Sequence, residues 1–247
     1  MFPAVRAAQL VRRSRSEPWF VLEHVLVRLN ADFSERASAH ASEMAWVSSP
    51  AAGVDRKMFD RIGDEVARAT SIVRFARGSA FAAHTHAGGE EFLVLEGTFQ
   101  DEHGDYPVGT YVRNPIGTTH TPRSDEGCTI FVKLCQFASD DRAQFRAPSE
   151  TRPASGPLTQ TVKTLHSVAQ ETVEVHRWEA GQTHRKPYPG GVELLVLRGQ
   201  VQESDETFRT WSWLRLPPGA TLDLKVGNEG AVTWLKHGHL LNPFPAA

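Results

Sequence analysis

Three histidines and one glutamate are the residues of this chain best suited to chemistry. His84 and His86 are separated by a single residue, Glu90 closes the same stretch, and His120 follows the turn-forming run Asn114-Pro115-Ile116-Gly117. Side chains two apart on a β-strand leave the same face, so His84 and His86 can reach one point, and a glutamate and a histidine from neighbouring strands would complete a set of four. The pattern predicts a divalent-metal site with ligands His84, His86, Glu90 and His120. Imidazole nitrogen and carboxylate oxygen accept zinc, iron, manganese, nickel and cobalt, so the donor set leaves the ion open. It also leaves open whether four ligands close the site or water and substrate share the ion. No separate acid or base stands out, and no catalytic residue is assigned.

These residues need strands to position them, and the chain supplies strand signals. Apolar runs at Val66 to Phe75, Phe92 to Phe99, Thr110 to Arg113 and Thr129 to Leu134 are separated by turns rich in Gly, Pro and Asp. That rhythm predicts an all-β sandwich or barrel. With 247 residues, 40% of them hydrophobic, the chain can bury one large core or two small ones. Residues 138–161 change character and read as a connection, after which the pattern returns. Glu193-Leu194-Leu195-Val196-Leu197-Arg198-Gly199 mirrors Glu91-Phe92-Leu93-Val94-Leu95-Glu96-Gly97, and Pro217-Pro218-Gly219 follows Pro115-Ile116-Gly117 at an offset of 102 residues. The chain is read as a duplicated fold. The same offset puts Lys186, Tyr188, Val192 and Leu222 where His84, His86, Glu90 and His120 stand. His184 alone cannot hold an ion, so the second half is expected to carry no metal and to support the first by packing or dimerisation.

The spacing Gly-x5-His-x-His-x3-Glu-x6-Gly from Gly78 to Gly97, followed by Gly109-x5-Pro115-x-Gly117-x2-His120, resembles both halves of the cupin signature; only the final asparagine of that signature is missing, replaced by Ser124. The stretch from Gly89 to Gly117 resembles the cupin-like domain of the ChrR anti-sigma factors and of stand-alone proteins that share it. The resemblance implies two tandem cupin jelly-roll barrels, a bicupin: a flexible extension over 1–29, a metal-binding cupin domain over 30–145, a linker over 146–160 and a degenerate cupin domain over 161–247. It implies zinc first and Fe(II) next. It also implies either a dioxygenase-like enzyme acting on a small oxygenated or dicarbonyl compound, or a zinc-binding sensor module. Direct sigma-factor binding is not expected, because ChrR proteins use a separate N-terminal domain with a His/Cys zinc cluster and residues 1–65 contain no cysteine.

The remaining features narrow the setting. A net charge of -2 gives no electrostatic reason to expect nucleic acid or an anionic membrane as partner. No stretch of 18 apolar residues exists to span a bilayer. If the run between Cys128 and Cys135 is a strand, the two lie on the order of 23 Å apart, beyond disulfide reach, which predicts free thiols in a reducing, cytoplasmic setting. A homodimer is expected. Glu91 recurs as Glu193 in the half without ligands, which favours a structural role over ligation. Tyr111 and Arg113 alternate on the strand before His120 and are expected either to face solvent or to orient substrate. Asp101 to Asp105 reads as a polar hairpin turn with Gly104 at positive φ, so His103 is not expected to bind metal. His237 and His239 have metal-like spacing but no evident partner.

Overall fold

The computed structural model describes residues 27–64, 66–149 and 158–242. Among them the fold is almost entirely β-strand, interrupted by two 3-10 turns at Ala41–Glu43 and His239–Leu241. Among the described residues no helix is long and apolar enough to cross a membrane. The strands expected from sequence are present as Ala67–Phe75, Glu90–Asp101, Thr110–Asn114 and Cys128–Leu134.

Two large sheets, one for each repeat, divide the strands. In the first, the path runs from Arg28–Leu29 through Val54–Gly63, Ala67–Phe75, Cys128–Leu134, Glu90–Asp101 and Thr110–Asn114 to Phe145–Pro148. In the second, it runs from Thr161–Val168 through Glu171–Trp178, Thr221–His237, Val192–Glu203 and Ser212–Leu216 to Ala37–His40. Neither path closes on itself, so the arrangement is a pair of open sheets in a double cupin-like layout. Residues 1–26 of the expected extension, with residues 150–157 of the expected linker, lie outside the described residues. Phe145–Pro148 reaches into that linker as a strand paired with Thr110–Asn114.

The boundary between the halves is crossed by the chain itself. Ala37–His40, expected with the first half, pairs antiparallel with Ser212–Leu216 of the second, from Ala37 opposite Arg215 to His40 opposite Ser212. Repetition extends to backbone detail. Gly97 and Gly199 both hold positive φ, and a Cβ at either would lie 2.1 or 2.2 Å from the carbonyl oxygen of Gly127 or Gly230. Only glycine fits such a crossing.

Among the described residues three apolar clusters hold the fold. One lies within the first sheet, around Val54, Phe75, Phe92, Phe99, Tyr106 and Ile130. A second fills the corresponding place in the second sheet and contains Tyr188, Val192 and Leu222. These are three of the four residues opposite the metal-site positions, so apolar packing occupies the space that ligands would need. The third cluster joins the halves, with Phe59 stacked on Trp213 at 5.8 Å and Phe131 edge-on to Trp234 at 5.0 Å.

That joint also buries charge, in a reciprocal pattern. Lys133 of the first half donates to Glu193 of the second at 2.6 Å, and Lys236 of the second donates to Glu91 of the first at 2.6 Å. Both lysines and both glutamates are buried. Burial pushes the Glu91 carboxyl up, but Lys236 and Arg113 outweigh it and hold the group at about 2. Charged groups in so dry a place persist only when paired and hydrogen-bonded. The repeated glutamates are therefore structural: they tie one sheet to the other.

Candidate metal centre

The strand pair that presents the histidines is short. His84–Thr85 pairs with Thr119–His120, with His120 opposite His84. His86 extends this ladder by one step, its N–H donating to Thr118 O at 2.9 Å and its carbonyl accepting from Gly117 N–H at 3.0 Å. His84 and His86 thus project together toward His120. Glu90 arrives from the first residue of the Glu90–Asp101 strand.

Ligand atoms of His84, His86 and His120 all lie within 4.8 Å of one another. Glu90 Oε2 stands 3.5 Å from His86 Nε2 and 3.6 Å from His120 Nε2. Donors about 2.0–2.2 Å from a shared tetrahedral ion are separated by about 3.3–3.6 Å, so these spacings match. His86, Glu90 and His120 are buried, whereas His84 is exposed at the rim. Among the described residues, His86 Nε2 and His120 Nε2 are buried atoms with no hydrogen-bond partner. A buried imidazole nitrogen left without a partner is costly, and an ion between the two would satisfy both. The residues present fit a divalent metal.

Neighbouring groups fix the orientation of the donors. His84 Nδ1 lies 3.1 Å from Ala82 O, and His120 Nδ1 lies 3.3 Å from Asp101 Oδ2, which leaves each Nε2 free toward the centre. Asp101 is itself held by Tyr106 Oη–H at 2.9 Å and by His103 N–H at 2.8 Å. Burial pulls His120 down in pKa, but its hydrogen bond to Asp101 and the charge of Glu90 outweigh that and raise it. His86 moves the other way, lowered chiefly by burial, and so is held neutral. Asn114 Nδ2 donates to Glu90 Oε2 at 3.1 Å. The role of Asn114 was not read from sequence, although its place one residue before Pro115, at the end of a strand with Val112 and Asn114 on the same face, carried the signal.

Tyr111 and Arg113 do neither of the things expected of them. Strand parity turns them away from the histidines and into the joint between halves, where both are buried. Tyr111 Oη–H donates to Glu91 at 2.5 Å, and Arg113 donates to Glu91 at 3.1 Å, to Glu171 at 2.8 Å and to Asp141. His239 is likewise not an unpartnered end-strand residue. It is buried with Nε2 3.0 Å from Glu193 Oε1, because the turn after Thr221–His237 folds back onto the interface. His237 lies 3.8 Å from Glu174, and His184 lies 3.5 Å from Tyr188 Oη beside His176 and Trp178. His103 sits in the expected hairpin, with Gly104 at φ 134°. Cys128 and Cys135 are unpaired.

A second group, Asp141, His166 and Glu171, also has ligand atoms within 4.8 Å of one another. Arg113 and Lys236 already donate to its carboxylates, Lys236 reaching Glu171 at 2.8 Å. Two fixed cations in contact with the acids would repel a divalent ion, so this group belongs to the interface network.

Comparison with known proteins bears on the fold. Residues 34–138 match the ChrR Cupin-like domain. The fold is that of the cupin superfamily. A proposed dioxygenase from Nostoc punctiforme has a TM-score of 0.64 and 13% identity, with 82% of each chain covered. The bacterial pirin YhhW of Escherichia coli, solved with nickel(II), has a TM-score of 0.61 and 14% identity, covering 83% of this chain and 99% of that one. Oxalate decarboxylase from Bacillus subtilis has a TM-score of 0.58 and 11% identity, covering 82% of this chain and 76% of that one. At these identities the likeness is one of fold. No curated protein sequence matches.

Proposed function

We propose that this chain is a metal-dependent cupin enzyme, dioxygenase-like, acting on a small oxygenated or dicarbonyl compound at a centre formed by His84, His86, Glu90 and His120. The observation that carries the reading is the pair of buried, partnerless Nε2 atoms at ion-sharing distance from Glu90, set beside an exposed His84. An open rim suits a site where substrate, not only protein, completes the coordination. When bound, the ion would supply Lewis-acid or redox chemistry to a chelating substrate. Asp101 holds the His120 ring in one tautomer and Asn114 holds the Glu90 carboxylate in one orientation. Phe99, with its ring centre 5.9 Å from that of His120, and Phe81, at 6.1 Å from His84, form apolar walls beside the donors.

The two sheets are proposed as two tandem cupin barrels, the metal-binding unit spanning 30–145 and the degenerate one 161–247, joined by residues 146–160. Zinc is the first ion proposed and Fe(II) the second, the dioxygenase-like chemistry requiring the redox-active iron. A cytoplasmic homodimer without nucleic-acid, membrane or sigma-factor partners completes the proposal. The match of residues 34–138 to the ChrR Cupin-like domain favours a second reading, a non-catalytic zinc-binding sensor. Metal analysis of protein purified without added metal, paired with oxygen consumption over a panel of 1,3-dicarbonyl compounds, separates the two. Iron with turnover supports the enzyme; zinc in full occupancy, with no turnover, supports the sensor.

A further inference from the structure

We propose that a cavity beside the histidine cluster is a binding site for a small carboxylate anion. The cavity has a volume of about 290 Å³ and opens between the Gly104–Pro107 hairpin, the end of Thr110–Asn114 and Phe145–Pro148. None of His84, His86, Glu90 or His120 lines it, so it is distinct from the metal centre. Its volume sits at the lower end of the roughly 300–1,000 Å³ range of ligand pockets and selects a small molecule.

The wall dictates the charge of the ligand. It contains two arginines, Arg113 and Arg146, the amides Asn114 and Gln144, and no acidic residue. Arg146 donates one N–H to His103 O at 2.9 Å and lies over the Tyr106 ring at 5.2 Å; among the described residues it has no carboxylate partner. Arg113 is buried and already pairs with Glu91, Glu171 and Asp141, so it closes the wall, and Arg146 is the cation that faces a ligand. A guanidinium with unused donors, such as that of Arg146, is built to take a carboxylate. Val112 and Phe145 add an apolar surface for a short hydrocarbon body.

The site also touches the supports of the metal centre. Tyr106 lines the cavity and donates to Asp101, which holds His120; Asn114 lines it and donates to Glu90. A bound anion would therefore press on the groups that aim two of the four donors. The proposal stands whether the neighbouring centre is catalytic or a sensor.

Isothermal titration calorimetry of the full chain with isobutyrate and with its uncharged analogue isobutyramide tests the site, using metal-replete protein and protein stripped by chelator. Saturable isobutyrate binding is expected in both preparations, weaker by about tenfold or more for isobutyramide and for Arg146→Gln, since each removes a charge-assisted hydrogen bond. Arg146 is exposed, so the substitution leaves the fold intact, and metal content measured on the same samples should not change. Absence of saturable binding, equal binding of the amide, or equal binding by Arg146→Gln would overturn the proposal. So would binding that disappears on metal removal, which would place the anion on the ion instead. The metal-to-protein ratio, read separately, shows whether the metal centre itself has been misassigned.

Discussion

Replacing Lys133 by Met should destabilise the protein far more than the loss of one surface charge. Lys133 Nζ donates to Glu193 at 2.6 Å and to Thr70 Oγ1 at 2.8 Å, and both charged side chains are buried. Burial pushes Glu193 up in pKa, but Lys133 and His239 hold it well below the ordinary carboxylate range. In Lys133→Met the glutamate keeps the Trp213 Nε1–H at 3.2 Å and His239 at 3.0 Å, but no cation in contact. Breaking a buried pair by removing one partner costs about 3–5 kcal/mol. For a chain of this size that corresponds to a fall of about 6–20 °C in melting temperature. Lys133→Met combined with Glu193→Gln should recover much of the loss, because no uncompensated charge then remains. Urea melts of the wild type, both single variants and the double variant give the coupling directly. A Lys133→Met protein within about 1 kcal/mol of wild type would refute the argument, and so would a double variant no better than the worse single one.

His120→Ala should lose most of its metal by mass spectrometric analysis, whereas His103→Ala and His184→Ala should match wild type; near-stoichiometric metal in His120→Ala would remove that residue from the donor set. Asp101→Asn should weaken metal affinity by about 10- to 100-fold in a chelator competition, as expected for a partner that orients a ligand. Metal should be lost as pH falls through the histidine range near ~6.5, because each imidazole must be neutral to coordinate. His120, whose pKa is raised, takes up a proton more readily than His86, whose pKa is lowered, and because coordination needs the imidazoles neutral together, a loss curve no steeper than one proton would count against joint coordination. A chain ending at residue 151 should keep all four candidate donors but aggregate, since it bares the Phe59, Phe131 and Tyr111 surface that Trp213 and Trp234 cover; a stable monomer in sedimentation would show that the second half is dispensable.

The spacing of the candidate donors was legible because ligation constrains both residue type and strand parity at once. Four central strands were legible because apolar runs are separated by turns rich in Gly, Pro and Asp. The interface was not. Lys133, Lys236 and Arg113 read locally as polar faces turned to water, since a charge on alternate residues looks the same whether solvent or a second sheet lies opposite. Only the recurrence of Glu91 as Glu193 hinted otherwise, and the partners that explain it lie far away in sequence. The strand Ala37–His40 left still less trace, being four small or polar residues whose pairing is set by the vacant edge of Ser212–Leu216. Phe145–Pro148 hid inside a segment rich in proline and charge, where an edge strand tolerates both.

The exchange of Ala37–His40 into the far sheet bears on how the protein is made. His40 bonds to Ser212 through side chains 172 residues apart in sequence, so this strand leaves the ribosome long before its partner exists. The first repeat can collapse during synthesis, yet its leading segment must wait, unpaired, until the chain is nearly finished. Closing so long a loop belongs to the slow end of folding. The last event in assembly is then a clasp thrown from the beginning of the chain across to its end, and a nascent chain stalled before residue 212 would carry an open strand free to bind its neighbours.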